Sequence, residues 1–188
     1  ANVLPRSECA QVKVWDPVAL TYTPTGQSCP QFRFDGLLLP GTEIRLGDRT
    51  WQVHAAPGHD THSVILFEPA ARILVSADAL WERGFGVVFP ELEGDDAFDE
   101  LGETLDLIET LAPVIVIPGH GKVFTDVGAA LAFARERLKG FSSSPERHTR
   151  HAAKVLLKFK LLELQRLPLA DFLAWVQATP HFRLMARQ

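Results

Sequence analysis

Three potential metal ligands each follow an apolar run that is short enough to be a β-strand. The run TWQVHAAPGH ends in His59, RILVSAD ends in Asp78 and VIVIPGH ends in His120. Strands that run the same way through one sheet place their ends along one rim, where catalytic groups of layered α/β folds gather. We therefore expect the three side chains to converge. Two imidazoles and one carboxylate suit zinc, and iron or manganese would accept them too.

Each of these residues has a structural explanation when it is considered alone. A histidine after a strand is more often a hydrogen-bonded loop residue than a ligand, and an aspartate there is usually a cap or turn former. The repeated tripeptide Pro-Gly-His, at 57–59 and 118–120, changes this balance. Two copies at separate strand ends, with Ser-Ala-Asp between them, are hard to attribute to turn chemistry alone.

The elements that must position these residues alternate along the chain from residue 43. The pattern predicts a hairpin around Gly47 and Asp48, strands at 63–67 and 72–77 that are buried on both faces, a helix at 96–112, a strand at 114–117 and a helix that Thr125 opens. The first helix carries an apolar stripe of Phe98, Leu101, Leu105 and Ile108, its acidic residues form a solvated face, and Asp95 or Asp96 caps it. This succession indicates an α/β layered domain.

The two ends of the chain have different patterns. Residues 1–40 contain five prolines and predict extended loops with one short strand near Val12–Trp15. After a linker at 140–145, one helix has an inward face of Ala152, Val155, Leu156, Phe159 and Leu162, and Pro168 starts a second whose Phe172, Leu173 and Val176 pack back on the first. We therefore divide the chain into an α/β domain at 1–140 and a helical C-terminal module at 141–188.

Composition excludes several classes of protein. The chain has 188 residues, of which 46% are hydrophobic, and a net charge of −4, which disfavours a partner bound mainly through phosphates. No apolar run approaches the roughly 18 residues of a membrane span, and the first residues lack the layout of a signal peptide. Cys9 and Cys29 lack a CxxC spacing, so we expect simple thiols in a cytoplasmic protein without a membrane partner.

The three motifs together resemble those of the metallo-β-lactamase-fold hydrolases, which include glyoxalase II-like thioesterases. PGHDTHSVILFEP at 57–69 resembles a metal motif of that family, SADAL at 76–80 its bridging-aspartate motif and PGHG at 118–121 its last histidine motif. The resemblance implies that His59 binds one metal, His120 the other, and the catalytic Asp78 bridges both. It also implies the C-terminal half of an αββα sandwich with a binuclear zinc site in the full-length protein.

One motif of that family is absent. HxHxDH, which supplies three more histidines and an aspartate, does not occur in the 188 residues. Each metal would then keep one histidine and a shared carboxylate, fewer than the three protein ligands of a usual catalytic zinc site. We interpret the chain as a fragment that lacks its N-terminal half, nearly inactive alone and a poor zinc binder; a degenerate pseudoenzyme is the alternative.

The resemblance also suggests a reaction on a small-molecule substrate. In the intact protein, a metal-activated hydroxide would attack an ester, thioester or amide carbonyl. Asp60 and His62 either orient His59 or are solvent-facing loop residues. Trp81, Phe85 and Phe89 either line an apolar substrate pocket or pack beneath a loop.

Other activities fit the sequence less well. PGHGK at 118–122 fails the phosphate-loop pattern, and no GxSxG of a serine hydrolase occurs. The cluster ERHTRHAAK at 146–154 suggests a nucleic-acid surface, as in nucleases of the same fold, but the net charge makes this partner unlikely. His148 and His151 either share a metal or, as we expect, lie on a solvated helix face.

Overall fold

The structure is a computed structural model that describes residues 3–5 and 9–187. Its strands are β1 (Val3–Pro5), β2 (Gly36–Leu38), β3 (Glu43–Leu46), β4 (Arg49–Ala55), β5 (Val64–Glu68), β6 (Ile73–Ala77) and β7 (Ile115–Pro118). Its helices are α1 (Cys9–Val14), α2 (Tyr22–Thr25), α3 (Phe89–Glu93), α4 (Ala97–Leu111), α5 (Val127–Ser142), α6 (Pro145–Leu164), α7 (Leu169–Ala178) and α8 (Pro180–Met185). The predicted α/β layered arrangement is confirmed.

The main sheet has five strands in the order β3-β4-β5-β6-β7. The first three pairings are antiparallel and the last, β6 with β7, is parallel. As a result β4, β6 and β7 run the same way, and their C-terminal ends lie along one rim. The predicted hairpin is confirmed as β3 and β4, joined at Gly47, whose φ of 60° lies in the left-handed region that glycine tolerates.

The core lies between one face of this sheet and helices α4 and α5. Phe67, Leu74 and Val116 follow one another across β5, β6 and β7 on this face and are buried. They pack in one apolar cluster with the predicted stripe of α4, Phe98, Leu101, Leu105 and Ile108, and with Val127, Leu131 and Ala134 of α5. Burying this apolar surface is the main driving force that fixes the helices on the sheet.

The other face of the sheet is less covered, which corrects the expectation that β5 and β6 are buried on both faces. Leu66, Val75 and Ile117 form a row across three strands by their register. Leu66 and Val75 are half-buried, and Ile117 is 38% exposed. Side chains alternate along a strand, so in β5 and β6 the apolar residues that face α4 and α5, Ile65, Phe67 and Leu74, are the buried ones. On the other face Val53 of β4 is also buried.

Local interactions move several predicted boundaries. The strand expected near Val12–Trp15 is wrong, because α1 extends to Val14 and is followed by Trp15, whose φ is 55°. Asp96 occupies the N-cap position of α4, but the Phe98 N–H donates to Glu91 Oε2, at 3.1 Å. Asp126 rather than Thr125 caps α5 by accepting from the Ala129 N–H, at 3.1 Å. Only two residues, Ser143 and Ser144, separate α5 from α6, so the predicted linker is shorter.

The C-terminal helices pack differently from the prediction. Ala152 and Leu156 of α6 are buried as expected, but Phe159 is 42% and Leu162 55% exposed. No residue of α7 is buried, and Leu173 is 51% exposed. Trp175 of this helix donates from Nε1 to the Gly26 carbonyl, at 3.3 Å. The division of the chain after residue 140 stays a prediction. Among the described helices, none has the length and apolar composition that crossing a bilayer requires.

Candidate metal centre

The rim formed by the ends of β4, β6 and β7 brings the three predicted ligands together. His59 Nε2 lies 3.4 Å from Asp78 Oδ2, and His120 Nε2 lies 3.7 Å from Asp78 Oδ1. Each oxygen of the carboxylate therefore faces a different histidine. All three side chains are partly accessible to solvent, with His120 the most exposed at 52%. Their role as metal ligands stays a prediction.

Two glycines allow the loops to approach these side chains. A Cβ on Gly86 would lie 2.6 Å from His59 Nδ1, and a Cβ on Gly119 would lie 2.7 Å from Asp78 Oδ1. Both distances are shorter than any tolerable contact. The Gly119 N–H donates to the carbonyl of Ala77, at 2.7 Å, which ties the β7 loop to the end of β6. Glycine is thus required here for close packing of backbone on the site.

Hydrogen bonds orient two of the three side chains. His59 Nδ1 lies 2.6 Å from the Val87 carbonyl oxygen, which can only accept, so Nδ1 carries the proton and Nε2 presents its lone pair to the Asp78 side. Trp81 Nε1 donates to Asp78 Oδ1, at 3.0 Å. The contact of His59 with Val87 is the arrangement that a metal-binding histidine usually has, in which the second ring nitrogen donates to a fixed acceptor.

The spacing of the donor atoms fits two half-sites. Two ligands at about 2.1 Å from one tetrahedral ion are about 3.4 Å apart, close to both separations found here. Among residues 3–5 and 9–187, however, no three His, Cys, Asp or Glu side chains gather at one cation position. Each half-site therefore offers one imidazole and one carboxylate oxygen. A catalytic zinc normally has three protein ligands, so this part of the chain supplies an incomplete set.

Asp60 and His62 do not orient His59 in this structure. The Asp60 carboxylate accepts from the backbone N–H of His62, at 2.8 Å, and closes a local turn. His62 is exposed, and His59 has the Val87 carbonyl as its partner. Of the two explanations that the sequence left open, the solvent-facing loop is the one seen. The local sequence around His59 could not show that its partner is the Val87 carbonyl, 28 residues further along the chain.

A cavity of about 240 Å³ opens beside the three side chains. Of the two explanations that the sequence left open for these aromatic residues, Trp81 and Phe89 line this cavity, whereas Phe85 is fully buried against Phe141. The remaining lining residues are His59, Asp78, Gly86, Val87, His120, Gln27, Val155, Leu156 and Phe159. The last three belong to α6, and Phe159 lies 5.6 Å from the His120 ring. Sequence analysis assigned them to helix packing, because periodicity does not reveal what an apolar face contacts.

His148 and His151 neither share a metal nor lie on a solvated face. His148 is only 1% exposed, and its Nε2 accepts from the Val88 N–H, at 3.1 Å. His151 Nε2 accepts from Arg137, at 2.7 Å. Burial, with the neighbouring charge of Arg137, lowers the pKa of both histidines to about 4. Both rings therefore stay neutral and act as acceptors inside the protein.

The family of the chain follows from its sequence. A family model described as the metallo-beta-lactamase superfamily matches residues 15–120, which is more than half of the chain. The chain belongs to the metallo-β-lactamase superfamily, as the three motifs predicted. No curated protein matches the sequence.

Solved structures show the same fold. A beta-lactamase domain protein from Burkholderia ambifaria has a TM-score of 0.56 and 25% identity over 80% of this chain and 47% of its own. The B3 metallo-beta-lactamase BLEG-1 has a TM-score of 0.55 and 26% identity over 69% of this chain and 61% of its own. TTHA1623, solved in a di-iron-bound form, has a TM-score of 0.52 and 25% identity, with coverages of 70% and 62%. The chain thus spans between about half and two thirds of these relatives' lengths.

Proposed function

We propose that this chain carries the C-terminal half of the active site of a metal-dependent hydrolase. The observation that supports it is the shared carboxylate: each oxygen of Asp78 faces one histidine nitrogen, at 3.4 and 3.7 Å. In this proposal His59 and Asp78 hold one cation, and Asp78 and His120 hold the second. Zinc suits these donors, and iron is the alternative because one relative was solved with two irons.

The chain's own residues have separate tasks in the reaction. When bound, the cations would supply a water of lowered pKa and a Lewis acid for the carbonyl oxygen of an ester, thioester or amide. Asp78 sets the spacing of the two half-sites, and the Trp81 N–H holds its carboxylate in place. The Val87 carbonyl keeps the proton on His59 Nδ1, which leaves Nε2 free to act as a ligand.

The cavity favours a small substrate with an apolar group next to the carbonyl. Trp81, Phe89, Leu156 and Phe159 surround the space beside the ligand triad. Apolar walls of this kind bind an acyl chain or a ring and exclude bulk water from the reacting carbonyl. We therefore expect esters or thioesters of apolar acids to be better substrates than small polar ones.

Further ligands must come from polypeptide beyond the described residues. Each half-site holds two donors, and the chain corresponds to 47% of the length of the Burkholderia ambifaria protein. The half-covered apolar row of Leu66, Val75 and Ile117 offers a surface on which another half of the enzyme would pack. We expect the 188-residue chain alone to be nearly inactive and to bind zinc weakly.

A titration with Zn²⁺ or Co²⁺ tests this proposal. Asp78→Asn removes charge from both half-sites, so we expect the association constant to fall at least about a hundredfold, more than a usual supporting residue costs. Asp60→Asn is the matched control, because it changes a carboxylate on the same rim that bonds only to the His62 N–H. Equal cation binding by wild type and Asp78→Asn would contradict the proposed site.

Hydrolysis separates an enzyme from a non-catalytic relative. The full-length polypeptide that contains this chain is assayed for hydrolysis of esters, thioesters, a β-lactam and RNA. Turnover that depends on Asp78 but not on Asp60 supports the hydrolase. Cation binding without turnover of any substrate would instead identify a binding module, and RNA cleavage alone would identify a nuclease.

A further inference from the structure

One peptide group beside the candidate centre is held on both of its sides by histidines. The carbonyl of Val87 accepts from His59 Nδ1, at 2.6 Å, and the N–H of Val88 donates to His148 Nε2, at 3.1 Å. These two atoms belong to the same planar peptide unit, which rotates as a rigid body. A continuous chain of hydrogen bonds therefore connects His148 of α6 to the predicted ligand His59, which precedes it by 89 residues.

The direction of each hydrogen bond follows from the backbone groups. A carbonyl oxygen only accepts, so His59 must carry its proton on Nδ1. An amide N–H only donates, so His148 must be unprotonated on Nε2. Donation by the amide and acceptance by its carbonyl polarise the peptide in the same sense, so the two bonds reinforce each other.

The surroundings of His148 keep it in this role. The ring lies between Phe98 and Phe141, with ring centroids 5.1 Å away in both cases, and is 1% exposed. Burial lowers its pKa to about 4, so at neutral pH the ring has no charge and Nε2 stays an acceptor. Two aromatic rings and a buried backbone donor fix its orientation, which makes it a rigid support rather than an adaptable one.

We propose that His148 is a positioning residue for the metal centre, which acts through the Val87–Val88 peptide to fix the tautomer and ring orientation of His59. The inference rests on the proposed function, since it assigns the support of one of the ligands named there. The same helix supplies Leu156 and Phe159 to the cavity wall. Docking of α6 thereby closes the substrate cavity and, at the same time, orients the Nε2 lone pair of His59.

The first test reads the hydrogen bonds without any metal. In ¹⁵N-labelled wild type, we expect a through-hydrogen-bond coupling between the Val88 amide nitrogen and His148 Nε2, and an imidazole spectrum that shows His59 with its proton on Nδ1. In His148→Leu, which has no acceptor, His59 should shift to a mixture of tautomers. His148→Gln places an oxygen near the former Nε2 and should restore the single tautomer.

A control separates positioning from general loss of stability. Met185 is buried in the same small apolar cluster as Ala152 and Leu156 of α6 and the Val87 side chain, but it makes neither of the two hydrogen bonds of the peptide. Met185→Ala should weaken the docking of α6 and lower the melting temperature, while His59 keeps its tautomer. The proposal is overturned if the His59 signal is unchanged in His148→Leu, or if it changes as much in Met185→Ala. If the leucine variant does not fold, the wild type decides, and absence of the coupling between Val88 and His148 overturns the proposal.

The second test measures Co²⁺ affinity in the same variants. Outer partners of metal-binding histidines typically contribute about 10–100-fold to affinity, and the more distant His148 should contribute about tenfold. His148→Gln should recover most of this loss. If wild type binds no cation at all while the tautomer of His59 still follows His148, the metal assignment fails but the positioning role stands.

Discussion

The candidate centre has two walls of different origin. The sheet wall carries the three predicted ligands at the ends of β4, β6 and β7, and each lies within a short motif of the sequence. The helix wall consists of α6, whose side chains contact the site from more than 60 residues further along the chain than Trp81. Local motifs specify the first wall, whereas long-range packing specifies the second. Substitutions that weaken one wall and spare the other test this difference.

The largest expected effect concerns the core under the sheet wall. Leu105 of α4 is fully buried, so Leu105→Ala should lower the free energy of unfolding by about 2–5 kcal/mol. Leu173→Ala in the C-terminal helices should cost about 0.5 kcal/mol or less, because Leu173 is 51% exposed. Urea denaturation of both variants measures this. Similar losses would mean that the C-terminal helices pack as tightly as the core.

A smaller effect is expected from a methyl group placed against a ligand. Gly86→Ala puts a Cβ at 2.6 Å from His59 Nδ1, so the ring must move and cation affinity should fall by about tenfold or more. Gly128→Ala is the matched control, since nothing lies within 4 Å of its Cβ and alanine in α5 should stabilise by up to about 1 kcal/mol. Calorimetric titration and thermal unfolding report both. Undiminished cation binding by the alanine at position 86 would show that His59 is not a ligand.

Acid should destabilise the packing of α6, because burial keeps two of its histidines without charge. The pKa values of His148 and His151 are about 4 in the folded protein, against 6.5 without the fold, mainly because burial disfavours the charged ring. The unfolded chain therefore binds more protons between these values, and the free energy of unfolding should decrease as the pH falls from about 6.5 towards 4. Urea midpoints at several pH values measure the slope. His148→Gln should reduce that slope, and a slope that is unchanged would argue against burial of this histidine.

The smallest expected effect comes from the exposed part of the helix wall. Phe159→Ala removes a ring beside His120 and should raise KM for apolar substrates severalfold with little change in stability, because the ring is only partly buried. Phe133→Ala changes an equally exposed phenylalanine of α5 that lies outside the cavity. Kinetics of the full-length polypeptide compare the two. An identical KM for both variants would remove α6 from the substrate site.

Much of the sheet side could be predicted because its signals are local. The apolar runs of β5, β6 and β7 and the 3.6-residue stripe of Phe98, Leu101, Leu105 and Ile108 need no knowledge of distant residues, and the structure confirms them. The helix at Cys9–Val14 was missed, since a six-residue helix between prolines has no detectable period. The position of Phe85 could not be decided from the sequence, because an aromatic residue after a glycine has the same pattern in a pocket or in a core.

The sequence by itself determined the family, the order of the main-sheet strands and of α4 and α5, and the identity of His59, Asp78 and His120 as the residues that meet at one rim. Only the tertiary structure decided which oxygen of Asp78 faces which histidine, that the Val87 carbonyl rather than Asp60 holds the His59 ring, and that α6 closes the cavity. The physical reason is the distance along the chain between the residues that interact. Strand ends and turns depend on neighbouring residues, whereas hydrogen-bond partners and buried faces depend on segments brought together by folding.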